Sequence, residues 1–184
     1  MDKDQVIEIL TMGGVGVLPT DTLYGLVGSA FSSDAVDRIY DLKQRDPRKP
    51  LIVLVASIED IERFGVIMSI DLEAMLKSYW PGPYSIILPT VDEEFEYLSR
   101  GTDTIAFRLP DDQELLDILS ATGPLVAPSA NIEGKPPAKS VADARRYFGD
   151  NADFYLDNGE MDGAASTIIR FDGDEPEIVR EGGA

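Results

Sequence analysis

The sequence predicts an α/β fold with a mixed sheet flanked by helices. Short β-rich apolar runs alternate with segments of helical period along the chain. "LIVLVAS", Leu51 to Ser57, is apolar on both faces, as a central strand covered on two sides must be. Strands also run directly into polar turns punctuated by proline, as in "VLPTDT" and "LVAPSAN". The pattern carries no information on strand order.

The elements follow in sequence. Val6, Ile7, Ile9 and Leu10 share one face of a first helix, closed by Gly13 and Gly14. Val15 to Leu18 is a short buried strand, and Thr20, Asp21 and Thr22 form a polar turn after it. Ser33 is placed to cap a helix carrying Val36, Ile39, Tyr40 and Leu42, with Lys43 and Arg45 in its last turn. Ser57 and Asp60 have capping-box-like spacing for the helix after the central strand. A helix over Asp71 to Tyr79 precedes the sharp turn Pro81-Gly82-Pro83 and a strand from Ser85 to Leu88. "TIAFRLP" is a strand ended by Pro110, "DDQELLDILS" a helix, and "PLVAPSAN" a strand with a polar turn. Ser140 caps a helix to Phe148, and three short strands follow near Phe154, Ile168 and Ile178. No repeat, low-complexity tract or linker interrupts the chain, so one domain over residues 1–184 is expected.

Composition excludes whole classes of chemistry. With no Cys and no His, disulfides, thiol nucleophiles, Ser-His triads and the usual zinc sites are ruled out. Absence of cysteine suits a reducing compartment. The net charge of −18 repels nucleic acid and anionic membrane at long range, so an anionic ligand needs a locally basic pocket. The N-terminus lacks the basic and apolar regions of a signal peptide, and no apolar run is long enough to cross a membrane. No Gly-rich dinucleotide fingerprint follows a strand, and no GxxxxGK[ST] loop is present.

Four segments are candidates for a site. "KQRDPRKPL" places Lys43, Arg45, Arg48 and Lys49 between stiffening prolines, which points to anion binding beyond what a helix dipole alone requires. "APSANIEGKPP" puts Ser129 and Asn131 just past a buried strand, where ligands of open α/β sheets bind; an Asx-turn is the structural alternative for Asn131. Arg108 either guards a sheet edge or clamps a carboxylate. Ser166, Thr167 and Arg180 stand in late strands, where β-propensity and a surface charge account for them equally well. Lys, Arg, Ser, Thr and Asn without an obvious nucleophile suit catalysis by positioning and charge neutralisation, as in phosphoryl or nucleotidyl transfer.

Taken in order, these segments resemble the YrdC-like family of L-threonylcarbamoyladenylate synthases. "PTDTLYGL", "KQRDPRKPL", "WPGPYSIIL", "FRLP", "PSANIEG", "STII" and "VREGG" are similar to the family's successive motifs over nearly the whole chain. The resemblance implies a YrdC/RibB-like twisted open sheet around a large concave pocket, in a short single-domain form. It implies a nucleotidyltransferase that makes threonylcarbamoyl-AMP and pyrophosphate from L-threonine, bicarbonate and ATP, for threonylcarbamoyladenosine modification of tRNA in the cytoplasm. Carried onto this chain, ATP falls to Lys43, Arg45, Asn131, Ser140 and Arg180, and threonine to Thr20, Arg108, Ser129 and Ser166. Mg2+ is expected with ATP, with few or no protein ligands, and no organic cofactor. The partners are the substrates and the tRNA-modifying threonylcarbamoyl transferase proteins. The runner-up is an RNA-binding or ribosome-maturation module of the same fold, against which the net charge of −18 counts. The chain departs from the family pattern where Asp46 precedes Pro47, where Glu133 replaces a serine, where Ser85 replaces a threonine, and where Glu181 replaces a proline after Arg180.

Overall fold

Asp2 opens the structure with a capping box. Its carboxylate accepts from the Gln5 amide, and the Gln5 side chain accepts from the Asp2 amide, satisfying two orphan donors of helix α1 (Lys3–Thr11). The structure is a computed structural model describing residues 1–172 and 175–183. Strand β1 (Gly16–Pro19) turns at residues 20–23 into β2 (Tyr24–Ser29), its antiparallel partner. β2 is not among the elements expected from the sequence. Five of its six residues are buried, so it has no polar alternation, and Gly25 and Gly28 disguise it further. Those glycines have a packing purpose. A Cβ on Gly28 would sit 3.2 Å from Ile39 and 3.3 Å from Ala35, both on helix α2 (Ser33–Lys43), which lies close against the strand.

Ser32, one residue before the expected Ser33, caps α2 by accepting from the Ala35 amide. Gln44 ends the helix in the left-handed conformation. After β3 (Ile52–Leu54) one arm of the expected Ser57/Asp60 capping box forms, the aspartate on the serine amide. Asp60 accepts from the amides of Ala56 and Ser57, and the segment Glu59–Phe64 winds as a 3-10 helix. The remaining elements are α3 (Ile70–Tyr79), β4 (Tyr84–Pro89), the single-turn α4 (Glu96–Ser99), β5 (Thr104–Arg108), α5 (Gln113–Thr122), β6 (Leu125–Val126), α6 (Val141–Phe148), β7 (Phe154–Tyr155), β8 (Thr167–Asp172) and β9 (Glu175–Arg180).

The nine strands form one mixed sheet in the order β7-β1-β2-β6-β3-β5-β4-β8-β9. The apolar run that predicted a central strand, β3, lies at its middle. Successive residues divide between two cores as a period of two requires. Val17, Leu26, Val53 and Val126 face α2 and α6, whereas Leu18, Val27, Leu54 and Leu125 face α1 and α5. The α1–α5 layer reaches only from β7 to β3. Register places Ile52 beside Ala106 and Leu54 beside Arg108, so β5 continues the same face beyond that cover. Ile87 and Ile168 extend it across β4 and β8. Half of this face is therefore an open, partly apolar floor.

Gly16 sits where β1 pairs in parallel with β7. A Cβ there would lie 2.3 Å from the ring of the buried Phe154. Gly16→Ala is expected to destabilise the protein by about 1–3 kcal/mol through overpacking. Urea unfolding monitored by circular dichroism measures it, and an unchanged midpoint would show that the ring relocates freely.

Candidate active site

At the boundary between the covered and open halves of the sheet lies a cavity of about 650 Å³, its mouth included. The β1–β2 turn, the stretch after α2, the end of β5, the loop after β6 and the start of β8 all contribute lining residues. The lining holds three guanidinium groups, Arg45, Arg108 and Arg180, and the hydroxyls of Thr20, Thr22, Ser129 and Ser166, with no carboxylate among the described residues. In a chain of net charge −18 this is the locally basic pocket that an anion requires.

The β1–β2 turn builds one wall. The Thr20 hydroxyl is its hub: it donates to the Leu23 carbonyl at 2.7 Å and accepts from the amides of Thr22 and Leu23. Thr20 thus lines the cavity, and its hydroxyl is largely spent on the turn. Thr22 accepts from Arg108 Nη1 at 2.8 Å, and Asp21 Oδ1 lies 3.1 Å from Arg108 Nη2. Arg108 is 4% exposed, and its buried Nε has no partner. Burial acts on both members of the ion pair. It lowers the Arg108 pKa and raises that of Asp21, with the opposite charge resisting in each case. Arg108 ends β5 pointing to the open face, so it is a buried cation at the cavity and not an edge guard.

Lys43 and the loop after β6 form the opposite support. Lys43 is 2% exposed and donates to the Ser129 carbonyl at 2.5 Å, the Asn131 carbonyl at 2.8 Å and Asn131 Oδ1 at 3.3 Å. Three acceptors match the three protons of an ammonium. Burial, aided by nearby Arg45, nonetheless lowers its pKa from 10.5 to about 7, with Glu133 opposing. Asn131 also donates to the carbonyls of Ile132 and Lys135 and accepts from the Ser129 hydroxyl at 2.6 Å. Its amide nitrogen organises its own loop, but not as an Asx-turn: Oδ1 serves Ser129 and Lys43, and the Glu133 amide goes to the Lys43 carbonyl. Ser129 reaches the cavity; Lys43 and Asn131 stand behind the lining and hold it.

The basic loop resolves into different roles. Arg45 faces the cavity and is held by the carbonyls of Lys49 and Pro50. Arg48 pairs with Asp46, and Lys49 pairs with Glu133. Arg180 faces the cavity from β9 while donating to the Ser166 carbonyl at 2.7 Å; burial and then Arg45 lower its pKa. The Ser166 hydroxyl lies 2.8 Å from that of buried Ser85. Ser140 is elsewhere: its hydroxyl accepts from the Asp143 amide as the N-cap of α6, outside the cavity lining. The sequence places Asp21 and Thr22 in the polar turn without assigning them a ligand, and marks Ser85 only as a replacement for threonine. Each had a signal, adjacency to Thr20 for the first two and position beside the "WPGP" turn for the third, but only the pairing of β1 with β2 and β4 with β8 reveals their partners.

Comparison with known proteins agrees with this geometry. The Sua5_yciO_yrdC family profile, described as "Telomere recombination", matches residues 8–182. A threonylcarbamoyl-AMP synthase of Pyrococcus abyssi is 34% identical over 173 residues, 93% of this chain and 51% of its own length. Another, of Vibrio parahaemolyticus, is 31% identical over 182 residues, 97% of this chain and 98% of its own. The structure of P. abyssi Sua5 complexed with L-threonine superposes with a TM-score of 0.90 at 32% identity, over 98% of this chain and 54% of that one. E. coli YciO shares the fold, with a TM-score of 0.86 at 24% identity over 98% of this chain and 88% of that one. The chain thus spans about half the length of the Pyrococcus relatives and nearly all of the Vibrio one. With the family profile matched over residues 8–182, the chain belongs to the Sua5/YciO/YrdC family.

Proposed function

We propose that this protein is an L-threonylcarbamoyladenylate synthase, joining L-threonine, bicarbonate and ATP into threonylcarbamoyl-AMP and pyrophosphate. The observation that carries this is the convergence of Arg45, Arg108 and Arg180 on one hydroxyl-rich cavity of an acidic chain. The relatives named threonylcarbamoyl-AMP synthase, and the Sua5 structure holding L-threonine, support the same reading.

The reaction needs two bond-forming events. The threonine amine, having lost a proton, attacks the bicarbonate carbon and water leaves. A carbamate oxygen then attacks the α-phosphorus and pyrophosphate leaves. Neither event calls for a protein nucleophile; both need charge neutralised and reactants aligned. Arg108, walled by Thr20 and Thr22, takes the threonine carboxylate. Arg45 and Arg180 neutralise the phosphates, and Ser129 and Ser166 orient the ligands between them. Lys43 and Asn131 hold the Ser129 loop in place, serving the nucleotide indirectly. Magnesium would be brought by ATP and would add charge neutralisation at the phosphates, beside the guanidinium groups of Arg45 and Arg180. Tyr24 and Ile52 supply apolar wall beside the polar groups.

The product would feed tRNA threonylcarbamoyladenosine formation by partner transferases in the cytoplasm. No helix among the described residues is long and apolar enough to cross a membrane. Direct RNA binding has less support. Outside the cavity, Arg48, Lys49, Lys139 and Arg146 pair with carboxylates, which leaves little basic surface for a phosphate backbone.

Purified protein with Mg2+ and ATP should release pyrophosphate only when both threonine and bicarbonate are present; no release under those conditions sinks the assignment. Arg45→Met should raise the KM for ATP about tenfold or more and leave that for threonine nearly unchanged, with Arg108→Met doing the reverse. Equal effects of both variants on both substrates would dissolve the division of labour.

Lys43 gives a pH signature. Its folded pKa of about 7 lies below the ordinary 10.5, so between those values the unfolded chain binds a proton that the native state does not. Stability from this group therefore rises with pH across that window, by at most about 1.4 kcal/mol per pH unit. The stability difference between wild type and Lys43→Met should grow in favour of wild type from pH 7 to 10. A flat difference in urea unfolding would show that the native ammonium keeps its ordinary pKa.

A further inference from the structure

Arg108 carries an unusual set of partners. Two come from the β1–β2 turn, Thr22 Oγ1 on Nη1 and Asp21 Oδ1 beside Nη2. The Asp21 side chain is 7% exposed; its Oδ2 accepts from the Asp111 amide at 3.4 Å, while Oδ1 makes no hydrogen bond of good geometry. Arg108 Nε is buried with no partner at all. Buried guanidinium donors and carboxylate oxygens are normally satisfied, and exceptions in a pocket ask for a missing group. A bare buried guanidinium would be costly in the empty protein, and Asp21 neutralises it there. Nε–H shares one edge of the rigid plane with Nη2, the nitrogen that Asp21 faces, and Thr22 holds Nη1, so the orientation of the whole guanidinium is set from the turn.

We infer that Asp21 is a positioning residue: it fixes the plane of Arg108 from the side of the β1–β2 turn and so sets the angle at which the guanidinium meets the carboxylate of the amino-acid substrate. This rests on the synthase reading and adds to it the group that orients the clamp. Asp21 is absent from the cavity lining, so it acts through Arg108 and not on the substrate itself. Thr22 shares the task from Nη1, so the turn sequence Asp21-Thr22 sets both axes of the guanidinium.

The test compares Asp21→Asn, Arg108→Met and the double variant of the full chain in the pyrophosphate-release assay, each substrate varied in turn. Asp21→Asn preserves shape and removes charge. It should raise the KM for threonine about tenfold or more, while the KM for ATP and the rate at saturating threonine stay within about twofold. In the Arg108→Met background the same change should add less than about twofold, because the residue it acts through is gone. A threonine KM unchanged by Asp21→Asn overturns the inference. So does an equal rise in both KM values, which signals general loosening, or a full effect persisting without Arg108. Should Asp21→Asn fail to fold, Asp21→Glu keeps the charge but displaces it, and must still raise the threonine KM selectively; no selective rise overturns the proposal. A wild-type protein that releases no pyrophosphate defeats the synthase reading itself, whereas an active wild type with an indifferent Asp21→Asn defeats only the role of Asp21.

Discussion

The buried amino group of Lys43 is the interaction on which the rest of the site depends. It joins the last turn of α2 to carbonyls of Ser129 and Asn131, some ninety positions away in sequence. The return contact, the Glu133 amide on the Lys43 carbonyl at 2.8 Å, closes the join from the other side. The same loop is stitched to β2 by the Ala130 amide on the Tyr24 carbonyl and by the bridge between Gly25 and Ser129. One amino group therefore sets the distance between the basic loop and the serine loop, and backbone links carry that spacing on to β2. An apolar side chain of similar volume fills the space but offers no donors, leaving backbone carbonyls unsatisfied in a buried place. Burying a charge here is costly; in return the loop geometry has a single solution.

Two of the chain's departures from its family's pattern meet in space. Asp46, set between Arg45 and Pro47, donates its amide to Glu133 Oε2 at 2.8 Å, and Glu133 also takes Lys49 at 2.5 Å. The Asp46 carboxylate in turn binds Arg48, which holds it well below the usual carboxylate range. Residues that look like separate irregularities along the sequence form one bracket across the mouth of the loop. The bracket neutralises Arg48 and Lys49 where they stand and leaves Arg45 turned to the cavity. That accounts for a cluster of four charges yielding one cavity cation.

Much of the fold was legible because it rests on local rules. The central β3 was marked by its unbroken apolar run, α6 by Ser140, and the ends of β1 and β5 by Pro19 and Pro110. What stayed hidden was nonlocal. The buried, glycine-bearing β2 shows no alternation, and Ser32 and Ser33 are equivalent as caps until the helix is seen. At the site, residue types pointed to Arg45, Arg108, Ser129, Ser166, Thr20 and Arg180, and all six line one cavity. Composition could not say that Lys43 and Asn131 stand one layer back, since a lysine that binds phosphate and one that binds carbonyls look alike in sequence. Nor could it separate Ser140 the cap from a ligand contact, because both uses draw on the same hydroxyl.

The pairing of surface cations with carboxylates has a kinetic consequence. The arginines of the cavity are visible to a ligand only at short range, within a chain whose net charge is −18. Beyond a Debye length of roughly 8 Å at physiological salt the acidic surface dominates, and an approaching anion is repelled before it is attracted. Added salt shortens the reach of that repulsion while sparing the contacts inside. Encounter with an anionic ligand is thus quickened by moderate ionic strength, the reverse of what a basic-surfaced protein that steers anions would show.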